Sequence, residues 1–198
     1  MDALVRTRPI NGGYDDGVLQ RVQLLSPDQI DLVLQRLLPF MRTGELHPDS
    51  IGTYATALVQ KSYHYGNNDF TIHTQNVPLD FMCSNLKGDE KKPLNMILYG
   101  DTGDCTGSFS MWCSFKQKGN AGNYYFCWAK NDELFISGGV EANALSFAQD
   151  TIFRTTTKGT FDKVRAFLDD YADLKRRRLY FVDSVGNALD RYSEQKET

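Results

Sequence analysis

The segment from Gly100 to Gly107 holds the densest group of reactive side chains in the sequence, with two carboxylates, one thiol and two hydroxyls. Carboxylates in a tight loop can hold a hard cation, but the alternating oxygen ligands and distal glutamate of a calcium-binding hand are missing. The segment is not a phosphate-binding loop either, because it lacks the GxxxxGK[ST] pattern and no helix is expected directly after it. Turn chemistry alone explains these residue types. We therefore interpret the segment as a turn and keep Asp101, Asp104 and Cys105 as secondary catalytic candidates.

Cys105 could be the nucleophile of a small thiol-dependent hydrolase or transferase if a base lay within hydrogen-bonding distance. The available bases are His47, His64 and His73, and none of them lies in a recognisable catalytic motif. His64 lies between two tyrosines near an expected helix end, and His73 lies on the polar side of an expected strand. Both positions have a structural explanation, so the thiol enzyme stays an alternative hypothesis.

The cysteine and histidine pattern favours neither a metal site nor a cofactor. The four cysteines are spread along the chain without a CxxC pair, and no two His or Cys positions have the close spacing of a zinc site. Cys113 and Cys127 lie in strand-like runs beside aromatic residues, where a free cysteine behaves as a small hydrophobic side chain. We expect them to be buried thiols.

The densest positive charge is a run of four basic residues, Lys175, Arg176, Arg177 and Arg178. Cations in the last turn of a helix interact favourably with its dipole, which accounts for one or two of the four. The excess predicts a second alternative function, in which the run binds an anionic ligand, RNA or an anionic surface. Arg154 and Lys158 are close in sequence and could contribute.

Aromatic side chains cluster in two neighbouring segments that resemble strands, and they occupy both faces of those segments. Tyr and Trp are enriched at the centres of protein interfaces because they bury a large area at low entropic cost. We therefore take Trp112, Tyr125 and Trp128 as candidate interface residues, together with the basic run. The competing explanation is a second core layer formed against the N-terminal helices.

Hydrophobic spacing and capping residues predict a pair of N-terminal helices. Ser26 and Pro27 suit the start of the first helix, and Pro39 is expected to kink or end it. A second helix is predicted from Pro48 to Tyr65. Three further predictions are an extended segment at 18–25, a short helix at 141–149, and a helix capped by Thr160 that ends in the basic run.

Alternating apolar residues predict strands in the remainder of the chain. Phe70 and Ile72 begin the first strand, and 95–99 is a compact apolar run. The segments 108–116, 124–129 and 133–137 read as a three-stranded meander joined by turns. Another strand is predicted at 151–157, and the segments 179–183 and 188–192 flank a turn in the pattern of a closing β-hairpin.

Strands in consecutive runs favour an α+β fold over strict alternation of strands and helices. We predict one domain over residues 1–198, with an N-terminal helical hairpin packed on an antiparallel β-meander, a C-terminal helix and a closing β-hairpin. Residues 1–16 are expected to form an N-terminal arm and residues 193–198 a polar tail. We expect no internal repeat, and we find no linker that would divide the chain.

Composition places the chain among ordinary globular proteins, with 41% hydrophobic and 24% charged residues. The net charge of −3 argues against a surface tuned as a whole to a polyanion. No run approaches the ~18 apolar residues of a membrane-spanning helix, and the N-terminus lacks the apolar core of a secretory signal. We therefore expect a cytoplasmic protein.

The hypothesis that demands least of the sequence is a non-catalytic structural protein that binds another protein or assembles with itself. Coat, matrix, inclusion and adaptor proteins all fit this description, and a homo-oligomer or a protein partner is expected.

Overall fold

The computed structural model describes residues 16–170 and 178–193 of the 198-residue chain. These residues form four helices and one seven-stranded sheet. Two of the predicted helices begin at the expected caps, since Ser26 and Gln29 form a capping box and Pro48 starts the next helix. The elements are α1 (Asp16–Arg21), α2 (Pro27–Arg42), α3 (Pro48–His64), β1 (Asp69–His73), β2 (Leu94–Tyr99), β3 (Cys113–Lys118), β4 (Glu133–Ile136), β5 (Ile152–Thr155), α4 (Lys158–Asp170), β6 (Arg178–Val182) and β7 (Ala188–Ser193).

The sheet is mostly parallel, so the prediction of an antiparallel β-meander is wrong. Strands β1 to β6 lie side by side in chain order and all run the same way, and among the described strands only β6 and β7 pair antiparallel. Alternation of apolar and polar residues identifies a half-buried strand but carries no information on the direction of its neighbour. The α+β class and the closing hairpin are confirmed.

A step of 19 residues relates four successive strands, although the sequence was expected to hold no internal repeat. Leu94 pairs with Cys113, Ser114 with Glu133, and Glu133 with Ile152. Each step closes one coil of the backbone, and the coils stack on one another as a parallel β-solenoid. The first coil and the last coil are longer, with Asp69 pairing to Asn95 and Ile152 to Arg178.

The side of each coil opposite the sheet is a turn segment, and this is where two sequence predictions fail. Tyr124, Phe126 and Trp128 all have positive φ, so 124–129 is not a strand. The backbone N–H groups of these residues donate hydrogen bonds alternately to the next coil and to the previous coil. Tyr124 N donates to Ala142 O in the next coil, and Phe126 N donates to Thr106 O in the previous coil. The segment 141–149 has the same conformation and is not a helix. Hydrogen bonds on both sides compensate for a backbone conformation that L-residues otherwise avoid.

The core fills the space between the sheet and the turn segments. The inward positions of the strands form continuous rows of apolar side chains, and the ring of Phe126 packs edge-on against Phe115 at 4.5 Å between ring centroids. A Cβ on Gly107 would lie 2.3 Å from the Phe126 ring, so only glycine allows this approach. The central inward row consists of Phe70, Met96, Phe115, Leu134, Phe153 and Leu179.

Helices α2 and α3 cover the first coil and supply the hydrogen bonds that a preceding coil would have given. On α2, Asp31 Oδ1 accepts the N–H of His73 at 2.8 Å. On α3, Thr56 Oγ1 accepts the N–H of Cys83 at 2.8 Å, and Gln60 bonds both the N–H and the carbonyl of Lys87. Capping of this kind prevents the backbone edge of a solenoid from pairing with other chains.

The remaining elements differ from the predictions at their boundaries. Residues 16–21 are helical, so the extended segment expected at 18–25 is wrong for that part. Helix α2 continues through Pro39 to Arg42. Arg178 is the first residue of β6 and does not end a helix. Most of the predicted arm and tail, residues 1–15 and 194–198, lie outside the described residues, as do 171–177.

Within the described ranges 16–170 and 178–193, every helix is too short or too polar to cross a membrane.

The cap on the first coil leads to a paired prediction on α3. Thr56→Val keeps the side-chain shape but leaves the buried Cys83 N–H without its acceptor, so the free energy of unfolding should fall by about 1–3 kcal/mol. Thr53→Val is the matched control, because the Thr53 hydroxyl is buried and has no hydrogen-bond partner among the described residues. We expect that substitution to be neutral or stabilising. Urea unfolding of both variants tests this, and equal losses in the two would contradict the capping role.

Candidate binding surfaces

The carboxylates of the segment from Gly100 to Gly107 hold neighbouring coils together. Asp101 Oδ1 accepts the N–H of Asn120 at 2.8 Å, and the side chain of Asn120 accepts the N–H of Gly139 at 2.8 Å. A second ladder does the same with Asp80, Asp104 and Asn123, whose side chains each accept an N–H from the next coil. The geometry therefore supports the interpretation of this segment as a turn.

The surroundings of Cys105 do not activate its thiol. The residue is half-buried, and burial, followed by the carboxylates of Asp104, Asp80 and Asp49, raises the pKa of the thiol. A nucleophilic cysteine needs a lowered pKa, which a neighbouring cation or helix N-terminus provides. The negative charge beside Cys105 has the opposite effect.

None of the three histidines is paired with Cys105 in the described contacts. His47 lies 3.2 Å from Asp49, and His64 contacts Gln60 at 3.1 Å. His73 bonds Asp31 at 3.0 Å and stacks on the ring of Tyr99. The predicted catalytic combination of Cys105 with His64 or His73 is therefore not assembled in the described contacts. Among the described residues, no three His, Cys, Asp or Glu side chains are grouped so that they could hold a metal ion.

Three exposed aromatic rings form a continuous row along the turn side of the stack. Phe109, Trp128 and Phe147 occupy the same position in three successive coils, and their exposed fractions are 45%, 49% and 36%. The planes of Phe109 and Trp128 are nearly parallel with centroids 6.1 Å apart, and those of Trp128 and Phe147 lie 4.4 Å apart. We call these three residues the aromatic strip.

The structure separates the interface residues that were predicted from sequence. Trp128 is the centre of the aromatic strip, whereas Tyr125 is fully buried in the core, where its hydroxyl has no hydrogen-bond partner among the described residues. Trp112 is half-buried and, with Arg178, lines a polar cleft of about 430 Å³. Lys175, Arg176 and Arg177 lie outside the described residues. Phe109 and Phe147 were missed because recognising the strip requires the 19-residue step.

The outer face of the sheet carries a second pattern, in which cations and rings alternate. Lys116 lies over the ring of Phe135 at 5.7 Å, and Arg154 lies over the ring of Tyr180 at the same distance. Beside this row, Lys118 lies 4.5 Å from the centre of the Tyr99 ring. The central outward row consists of Thr71, Ile97, Lys116, Phe135, Arg154, Tyr180 and Arg191.

Asp132 is a buried carboxyl group whose hydrogen bonds indicate its protonation state. Its Oδ1 accepts the N–H of Cys113 at 2.8 Å, and its Oδ2 lies 2.5 Å from the Ser110 hydroxyl, which is also 2.6 Å from the Gly107 carbonyl. One hydroxyl proton cannot serve both oxygens, and a neutral Asp132 resolves this by donating to Ser110. Burial raises the pKa of Asp132 to about 7, so the side chain is mostly protonated below neutral pH.

The thiol environment predicts slow chemistry at Cys105. Because the raised pKa lowers the thiolate fraction, iodoacetamide should alkylate Cys105 in the native chain at pH 8 more slowly than it alkylates glutathione. Peptide mass spectrometry over a time course measures the rate, and alkylation in urea serves as the control for intrinsic reactivity. A native rate above that of glutathione would restore the thiol-enzyme hypothesis.

The raised pKa of Asp132 predicts how the free energy of unfolding depends on pH. The pKa of Asp132 in the folded chain lies above its ordinary value of 3.8. The contribution of Asp132 to the free energy of unfolding is therefore complete below about pH 4 and is lost as the pH rises to about 7. Asp132→Asn can donate to Ser110 at every pH, and it should therefore gain stability relative to wild type as the pH rises. Urea unfolding of both proteins across pH 4–8 measures this difference, and a constant difference would contradict the assignment.

Comparison of the chain with protein-family models, curated proteins and solved structures finds no significant match.

Proposed function

We propose that this protein is a non-catalytic assembly protein, and that its copies associate through the aromatic strip. The observation that carries the proposal is the stack of Phe109, Trp128 and Phe147, three large rings that remain between about a third and a half exposed. Contiguous exposed apolar surface is uncommon on monomeric proteins and marks sites of association. Tryptophan in particular is enriched among the residues that dominate binding energy.

The order of the rings favours a second copy of the same chain as the partner. Along the stack the strip reads Phe, Trp, Phe in either direction. A two-fold axis through Trp128 would place Phe109 of one copy against Phe147 of the other, which is the self-complementarity that a symmetric interface requires. A different protein partner that binds the strip is the second form of the same hypothesis.

The thiol-enzyme alternative has less support from the geometry. Its nucleophile has a raised pKa and lies beside carboxylates, and the three histidines bond to other residues. The carboxylates that were to assist the thiol accept backbone hydrogen bonds from neighbouring coils.

The strip can be tested with substitutions that suit its backbone. Phe109 has a φ of 59° and Trp128 a φ of 61°, and asparagine adopts this region more readily than most residues. Phe109→Asn with Trp128→Asn should therefore remove the rings without disrupting the coils. We expect wild type to form a defined oligomer, or one that grows with concentration, and the double variant to be monomeric by light scattering behind a sizing column.

Tyr124→Asn is the matched control for this experiment. Tyr124 is also 45% exposed with positive φ, but it lies outside the strip, and asparagine already occupies the equivalent position 143 in the next coil. The control should keep the wild-type mass. A wild-type monomer at every concentration, with the double variant unchanged, would remove the self-assembly proposal.

A further inference from the structure

We infer that the outer face of the sheet is a binding surface for single-stranded nucleic acid, independent of the aromatic strip. The argument begins with charge. The chain has a net charge of −3, yet the outward positions of the seven strands hold more cations than carboxylates. The cations are Lys116, Lys118, Arg154, Arg178 and Arg191, and the carboxylates are Asp69 and Glu133.

Most of this positive charge is not neutralised within the described part of the chain. Arg154 lies 3.5 Å from Glu133. Lys116, Lys118 and Arg178 form no salt bridge with a carboxylate of the described residues. Lys118 instead contacts the Tyr99 hydroxyl at 3.1 Å. An anionic ligand would therefore meet these three cations without first displacing a carboxylate of the described residues.

The spacing of the face suits an extended polymer. Adjacent strands of a sheet lie about 4.8 Å apart, so Lys116 and Arg154, which are two strands apart, have backbones roughly 10 Å apart. The full row of seven strands is about 29 Å long, a length that accommodates several nucleotides. The solenoid fixes this spacing because each of the parallel strands β1 to β6 belongs to a different coil.

The aromatic residues between the cations favour single strands over other polyanions. Phe135 and Tyr180 lie in the same row as Lys116 and Arg154, and each ring touches a cation of that row. Surfaces that bind single-stranded nucleic acid combine cations for the phosphates with rings on which bases stack. A duplex keeps its bases stacked internally, and an anionic lipid surface offers no bases, so neither would use the rings.

The inference can be tested by fluorescence anisotropy. A labelled oligothymidylate of ~20 nucleotides is titrated with the protein, once at about 50 mM salt and once at about 200 mM salt. Wild type should bind more weakly at the higher salt. Lys116→Gln with Lys118→Gln should weaken binding roughly ten-fold and reduce the slope of log K against log salt by about 1.4, since each phosphate contact contributes about 0.7. Phe135→Leu should weaken binding by roughly five-fold or more through lost stacking, with the slope unchanged.

The matched control replaces two exposed lysines outside the seven strands, Lys87→Gln with Lys130→Gln, which should leave the affinity unchanged. Tyr124→Asn should also bind normally, because Tyr124 lies on the turn side and outside the aromatic strip. No binding at about 50 mM salt, equal weakening in the control, or tighter binding of a duplex of the same length would overturn the inference. Binding of a sulfated polysaccharide or anionic vesicles without binding of the oligonucleotide would overturn it too.

Discussion

Backbone hydrogen bonds between groups about one coil apart hold this protein together, and both proposed surfaces depend on them. On the sheet side they are ordinary parallel ladders with a step of 19 residues. On the turn side, alternate N–H groups point to the next coil and to the previous coil, as Phe109 N does to Cys127 O and Lys130 N to Ser110 O. This pairing stabilises positive φ at residues as large as Trp128, a conformation that would otherwise be disfavoured by roughly 1–2 kcal/mol.

A stack of coils leaves unpaired backbone at both ends, and the chain treats the two ends differently. Helices α2 and α3 cover the first coil with polar side chains, of which Asp31, Thr56 and Gln60 bond the exposed backbone groups. At the other end α4 packs against β5 and β6, and β7 reverses direction. Edge strands that are covered or irregular resist pairing with other chains, so association is expected through side chains on the flanks of the stack.

Because the coils stack, equivalent positions of successive coils form rows of side chains. These rows give a small chain extended surfaces. One position repeated in three coils gives Phe109, Trp128 and Phe147 as a single apolar strip. Another gives alternating cations and rings along the sheet, with Lys116 against Phe135 and Arg154 against Tyr180. A third position gives Asp101 and Asn120, whose side-chain oxygens each accept a backbone N–H from the next coil. The same geometry therefore provides the two flanks that we propose for recognition and a set of internal hydrogen bonds that maintain their spacing.

The amino-acid sequence specifies the local elements, because these depend on contacts within a few residues. They are the capped start of α2 at Ser26 and Pro27, the span of α3, the strands at Phe70 and Leu134, and the closing hairpin. It also held the repeat, since Gly100-Asp101-Thr102-Gly103-Asp104 recurs 19 residues later as Gly119-Asn120-Ala121-Gly122-Asn123, a signal that could have revealed the coils. The tertiary structure alone decided the parallel pairing, because alternation along one strand is blind to the direction of the next. It also decided which aromatic residues face solvent: Tyr125 points into the core and Trp128 outward because exposed positions in the turn segment, such as 124 and 128, recur every four residues instead of every two.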